Sequence, residues 1–271
     1  MLSWNLARGR YLESGIILLI IIFIVFVEPF NLQLTTNTFH LFGKGEAIKV
    51  VFIADTQDAY NSPDYFSHAI DLVNEQKPDL ILIGGDHVET ANDWDRLDEF
   101  SRLESKYGIY AVMGNHDYNN WDCPYCYKKL ETKLESMNIS VLRNENLILD
   151  IKGHRFALIG VDDLWVGLSD YDKASEGIPE NMTKIIMAHN QNSMKGYELQ
   201  GKNLILSGHT HCGVVQVPFV TDYVLQSTEF SDVSGGRATI DENTELYVTC
   251  GVTPSGVRLF TNPEISVIYL N

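Results

Sequence analysis

From residue 47 onward, short apolar runs alternate with stretches whose apolar positions recur every three to four residues. That is the pattern of buried strands joined by amphipathic crossover helices. Residues 48–54 read as the first strand, ending at Asp55. Ser62 and Pro63 mark a helix start, because a serine hydroxyl caps free N–H groups and proline fits the first helical position. Phe66, Ala69, Ile70 and Val73 then recur at helical spacing until Pro78. Residues 80–83 form the next strand and run into Gly84-Gly85-Asp86. Trp94, Leu97, Phe100 and Leu103 mark a further helix, residues 109–113 a strand and residues 127–137 a helix. Later strands read at 147–151, 156–161, 185–188, 204–206, 247–250 and 265–270. The least regular segment, residues 162–183, is rich in Asp, Gly and Ser and reads as a long loop that could face a substrate.

Ahead of this domain, residues 14–27 carry no charge. Extended from Tyr11 to Phe30, the segment makes about 30 Å of helix, enough for a hydrocarbon core, with Glu13 and Glu28 near the interfaces. A cleaved signal peptide competes with an anchor, since Arg8 and Arg10 precede the run, but Val27-Glu28-Pro29-Phe30 offers no small-x-small cleavage site. A buried helix is the third reading. Counting Arg8 and Arg10 against Lys44 places the amino terminus in the cytoplasm and the domain outside. The expected organisation is a transmembrane anchor over 1–30, a juxtamembrane linker over 31–46 and one domain over 47–271.

Composition narrows the partners. The chain is 45% hydrophobic and 21% charged, as folded globular chains are, which excludes a disordered class. Its 20 basic against 36 acidic residues give a net charge of −16, a field that repels phosphate backbones and disfavours general nucleic-acid binding. A phosphorylated substrate would need local cations, which bound metal ions supply.

Five apolar strands each end in groups able to bind a hard or borderline metal ion. These are Asp55 with Gln57, Asp86, Asn115 with His116 and Asp117, His189, and His209 with His211. Ligands bind beyond the carboxyl ends of strands in open α/β sheets, so these dispersed side chains can converge there. Carboxylate, amide oxygen and imidazole suit Mn, Zn or Fe(II), and the absence of clustered thiolates argues against a structural zinc site. A single Asp or His at a strand end is commonly a helix cap or turn residue. Five in order, several beside glycines that permit tight turns, argue for one site.

Asp55-Thr56-Gln57, Gly85-Asp86, Gly114-Asn115-His116-Asp117, His189 and Gly208-His209-Thr210-His211 resemble, in order, the calcineurin-like metallophosphoesterase signature. The resemblance spans about residues 48–271. Gly208-His209-Thr210-His211-Cys212-Gly213 and Asn262-Pro263-Glu264-Ile265 are similar to its membrane-anchored bacterial branch, which includes YkuE-type phosphoesterases and one class of UDP-2,3-diacylglucosamine pyrophosphatase. The resemblance implies a four-layer α/β/β/α sandwich and two-metal hydrolysis of a phosphoester, phosphodiester or pyrophosphate bond. It implies that Asp55, Gln57, Asp86 and His211 hold one divalent ion and that Asp86, Asn115, His189 and His209 hold a second. Manganese is expected, with Zn, Fe or Mg as alternatives. An anionic bridge such as Asp86 would offset the repulsion of two close cations. His116 would act at the leaving-group oxygen, with Asp117 orienting its imidazole. Gln57 stands where most relatives carry His, which implies weaker binding at the first ion and a shift toward Mn or Mg.

The substrate so implied is a small-molecule or lipid-linked envelope phosphate resembling UDP-2,3-diacylglucosamine. That nucleotide sugar is cytoplasmic, whereas the charge count puts the domain outside, which favours an envelope phosphodiester. A non-catalytic scaffold of the same fold is the competing class.

The cysteines lie at 123, 126, 212 and 250. Cys123-Pro124-Tyr125-Cys126 is spelled like a glutaredoxin site, and thiol redox chemistry, a local disulfide and plain thiols all remain open. The pair precedes a helix instead of following the first strand of a thioredoxin-like unit, and a disulfide would support an extracytoplasmic domain. Cys212 is expected to pack. His87 is expected to point away from Asp86, in the second layer or at the surface, because adjacent extended positions face opposite ways. Arg237 and Arg258 are candidate cations for a substrate phosphate. Trp94, Trp121, Trp165 and Phe219 are candidate lipid-facing or substrate-facing aromatics, with core packing the default reading.

Overall fold

The first buried strand shows how the sequence divides into layers. Val50 and Phe52 join one apolar cluster while Val51 and Ile53 join another, so both faces of the sheet are covered. A computed structural model describes residues 2–57, 62–89, 94, 96–118, 125–213, 233–254 and 256–271. Helix α1 (Leu2–Ile22) continues through a π-helical turn (Phe23–Val27) and a 3-10 turn (Glu28–Phe30). It is followed by β1 (Gln33–Phe39), β2 (Ile48–Ile53), α2 (Pro63–Glu75), β3 (Leu80–Ile83), β4 (Ile109–Ala111), α3 (Asn115–Tyr118), α4 (Cys126–Ser136) and β5 (Ile139–Val141). The second half holds β6 (Glu145–Ile151), β7 (His154–Val161), α5 (Tyr171–Ala174), β8 (Lys184–Ala188), β9 (Asn203–Ser207), β10 (Gly236–Thr239), β11 (Thr244–Val248) and β12 (Glu264–Leu270).

The strands form two six-stranded sheets, ordered β1-β12-β2-β3-β4-β5 and β10-β11-β9-β8-β7-β6. Phe52, Leu82, Phe156, Leu158, Met187 and Leu206 meet between them in one core. The helices α2 and α4 cover the outer face of the first sheet through Phe66, Ile70, Leu130 and Leu134. Tyr171, Ala174 and Met194 cover that of the second. This is the expected α/β/β/α sandwich. Ser62 caps α2 as its sequence predicts, accepting from the Tyr65 N–H at 3.1 Å.

Several expectations change. Gln33–Phe39, inside the expected juxtamembrane linker, is β1, paired in parallel with β12 along its whole length. Its polar, half-exposed sequence hides an edge strand. The helix expected from Trp94 to Leu103 is only a 3-10 turn at Leu97–Arg102, and the loop at 162–183 contains α5.

In the Tyr11–Phe30 span only Glu28 and Pro29 are buried, which removes the buried-helix reading, and its length and composition suit a membrane crossing. The chain runs from it into the domain without slack. The Arg258 N–H donates to the Ile24 carbonyl at 3.0 Å, and the Gln33 N–H to that of Pro263 at 2.8 Å. The Thr261 N–H donates to Glu28 Oε1 at 3.1 Å.

Phe156→Ala empties the centre of the inter-sheet core and should cost about 3–5 kcal/mol in denaturant unfolding of the detergent-solubilised protein. A loss below about 1 kcal/mol would place the core elsewhere.

Candidate metal centre

All five signature positions lie just past the carboxyl ends of β2, β3, β4, β8 and β9, so both sheets deliver side chains to one edge of the sandwich. The backbone there is left-handed at non-glycine residues: φ is 52° at Asp55, 33° at Gln57, 53° at Asp86, 69° at His209 and 49° at His211. Each such residue costs about 1–3 kcal/mol, a strain that clusters at functional sites and persists only where the surroundings enforce it. Here the enforcement is hydrogen bonding. The Asp55 N–H donates to Gly85, that of Gln57 to Asp86 and that of Gly208 to His189, all at 2.9–3.0 Å. Two glycines are required by contact: a Cβ on Gly114 would sit 2.2 Å from Asp86 Oδ1, and one on Gly208 would sit 2.4 Å from Asp55 Oδ2.

The side chains meet. Asp86, His189 and His209 each offer a donor atom within 4.8 Å of the others. His189 Nε2 is 3.1 Å from Asp86 Oδ2 and 4.0 Å from Asp55 Oδ1, and His211 Nε2 is 3.7 Å from that same oxygen. His189 Nδ1 lies 2.7 Å from the Gly84 carbonyl, which fixes its tautomer and turns Nε2 into the site. Asp55 accepts the His209 N–H at 3.0 and 3.1 Å, and Asp86 Oδ1 accepts that of His116 at 2.8 Å. Gln57 is buried beside them through its backbone bond to Asp86. Asn115 Oδ1 and His211 Nδ1 are buried without a hydrogen-bond partner. Carboxylate, amide and imidazole atoms crowded together, some lacking any protein partner, fit divalent cations.

The electrostatics agree. Burial raises the Asp55 pKa against the pull of His211 and His189. Burial also works on Asp86, but His189 and His116 overcome it and hold that carboxyl below the usual range. His189 is itself raised, because Asp86, Asp55 and Asp163 outweigh its burial. Burial, with His189 beside it, drives His209 down to about 3, so that ring is neutral and offers a lone pair. Burial likewise lowers His211.

Comparison with known proteins matches residues 48–213 to the calcineurin-like phosphoesterase family. The chain belongs to that family. Across 90% of both chains it is 32% identical to phosphodiesterase YaeI of Escherichia coli. It is 27% identical to the uncharacterized metallophosphoesterase YkuE of Bacillus subtilis, over 90% of this chain and 87% of that one. It is also 32% identical to a bovine transmembrane protein with a metallophosphoesterase domain, over 73% of this chain and 47% of that one. This calcineurin-like phosphoesterase is a metal-dependent phosphoester hydrolase.

Several details of the family site depart from sequence reasoning. Asp117 does not orient His116. Its Oδ1 accepts the His87 N–H at 2.8 Å, while Oδ2 faces His87 Nδ1 and accepts the Gly114 N–H, each at 2.9 Å. His116 and Asp117 follow each other in a helical turn and so diverge. The His116 ring meets Glu89 instead, with Nδ1 3.2 Å from its carbonyl and 3.3 Å from its carboxylate. His87 is second-layer as expected, but fully buried, not superficial.

Arg258 and Arg237 are both committed elsewhere. Arg258 is fully buried and donates to the Thr261, Cys250 and Thr253 carbonyls at 2.8–3.0 Å. Arg237 pairs with Glu245 and Thr38. Cys212 does more than pack, forming a disulfide with Cys250 beside His211. Cys126 is also disulfide-bonded, whereas Cys123, Trp121 and Phe219 lie outside the described residues. Trp165 departs from the default core placement: it is exposed and stands edge-on to His209, with ring centroids 4.3 Å apart. Sequence reasoning missed Asp163, which is buried past the end of β7 and helps raise His189. The signal was the same, an apolar strand ending in Asp162-Asp163.

Gly114→Ala should push Asp86 out of place. Elemental analysis after manganese loading should find at least one ion fewer per chain than in wild type, with the circular dichroism unchanged. Equal metal content would show that Asp86 does not depend on this contact.

Proposed function

We propose that this phosphoesterase hydrolyses a phosphodiester or pyrophosphate bond in a lipid-linked envelope molecule, using two divalent cations with manganese preferred. The observation that carries this is the meeting of Asp86, His189 and His209 donor atoms from strands of both sheets within 4.8 Å. Asp55, Gln57, Asp86 and His211 would hold one ion, and Asp86, Asn115, His189 and His209 the other. Bound there, such ions supply charge neutralisation to the phosphoryl oxygens and acidify water for in-line attack.

The residues do the rest. The Gly84 carbonyl holds His189 with Nε2 facing inward. The Glu89 contacts hold His116 by Nδ1, which frees its Nε2 to protonate the leaving oxygen. Asp117, through His87 and Gly114, fixes the turn that carries Asn115 and His116.

Residues 1–30 would anchor the protein, with the amino terminus in the cytoplasm and residues 31–271 outside. The Cys212–Cys250 disulfide supports that side, since such bonds persist in oxidising compartments. An outside domain favours an envelope phosphodiester over cytoplasmic UDP-2,3-diacylglucosamine.

The test is turnover of a soluble aryl phosphodiester, a phosphodiester lipid and the acylated UDP sugar by the full-length protein in detergent. Chelation should abolish diester cleavage and manganese restore it. Asp86→Ala should fall to background, and His116→Ala should lose about 10²–10⁴ in kcat while retaining its metal. Turnover that persists in chelator, or an active Asp86→Ala variant, would overturn the reading.

A further inference from the structure

The metal centre and the apolar helix are joined by one short loop. On one side of it, the Thr253 N–H donates to the Asp55 carbonyl at 3.0 Å and the Val252 N–H to that of Ala54 at 2.9 Å. Gly251 lies so close that a Cβ there would be 2.7 Å from the Asp55 Cβ. On the other side, the Arg258 N–H caps the Ile24 carbonyl and the Thr261 N–H binds the Glu28 carboxylate. The Arg258 guanidinium ties the two halves together through the Cys250, Thr253 and Thr261 carbonyls. Only Asn31 and Leu32 separate the last helical turn from β1, and these bonds fasten the domain to the helix on its other side.

This loop exposes what a soluble surface would hide. Phe260 is 68% exposed, Val257 40% and Phe30, at the helix exit, 50%. Phe260 also takes a left-handed backbone, φ 61°, a cost that its exposed ring does not recover within the fold. Glu28, where the helix emerges, is buried and turned into the domain, so its charge does not face this apolar border. Across the site, Trp165, Val166 and Leu168 form a second exposed apolar group, with Trp165 against His209.

We propose that Phe30, Val257 and Phe260 form a membrane-contacting surface that seats the metal centre at headgroup depth, so that its substrate is an acylated phosphodiester drawn from the bilayer. The surface is continuous with the apolar helix, and its occupant is therefore the lipid that surrounds that helix. Trp165, exposed and edge-on to His209, would then pack against the apolar part of such a substrate. The inference rests on the anchor and phosphoesterase readings above, and its test separates them.

A photoreactive benzoylphenylalanine is placed at 260, or as a control at Ile148 on β6, the sheet edge remote from β1, in full-length protein reconstituted in phosphatidylglycerol–phosphatidylethanolamine nanodiscs. Lipid adducts should form at 260 and not at 148; equal yields, or none at 260, overturn the surface. In parallel, the double variant Val257→Asp with Phe260→Asp should lower turnover of a bilayer-embedded phosphodiester by about tenfold and leave a soluble aryl diester within about twofold. Equal loss on both substrates overturns the proposal. If wild type cleaves neither diester, the phosphodiester substrate reading fails, and crosslinking alone decides the membrane surface.

Discussion

Two carboxylates held almost wholly out of water, Asp55 and Asp86, are the constraint around which the molecule is built. An isolated buried carboxylate is costly, and burying a charge is tolerated only when it is paired, hydrogen-bonded or bound to a cation. The chain meets part of that demand with the His209 and His116 amides and with His189, whose pKa is drawn upward by the acids around it. The Asn115 oxygen and the His211 nitrogen are further buried polar atoms at this site that the protein leaves without a hydrogen-bond partner. A site that draws a proton to a buried imidazole has the field that binds cations, and binding them would release that proton.

The sandwich exists in the form that this constraint requires. Left-handed turns at Asp55, Asp86, His209 and His211 are strained, and only a rigid scaffold can impose several at one edge. Two sheets packed through Phe52, Leu82, Phe156 and Met187 supply it. The Cys212–Cys250 bond closes the same edge, joining the turn that bears His211 to the loop packed against Asp55. The apolar amino-terminal helix is fastened to that loop, so whatever fixes the helix also orients the site.

Much of this was written locally. Strand 80–83 is a continuous apolar run and strand 48–53 is apolar but for Lys49, and the polar group after each is the one that reaches the site. Ser62-Pro63 marks its helix by capping chemistry alone. What stayed hidden depends on distant partners. The polar strand Gln33–Phe39 becomes a strand only because β12 offers its edge. The short β5 and β10 lie at sheet edges, where burial leaves little pattern. The pairing of Asp117 with His87 follows from the left-handed turn at Asp86, which breaks the alternation assumed for adjacent residues. The bond between cysteines 38 residues apart, and the burial of Arg258 among carbonyls, have no local signature.

Anomalous scattering from crystals of the manganese-loaded full-length protein tests the central claim most directly. Two manganese peaks about 3.5–4 Å apart are expected, with Asp86 between them and His189 Nε2 on one. A single peak, peaks outside the Asp55–Asp86–His209 cluster, or none after loading would contradict it.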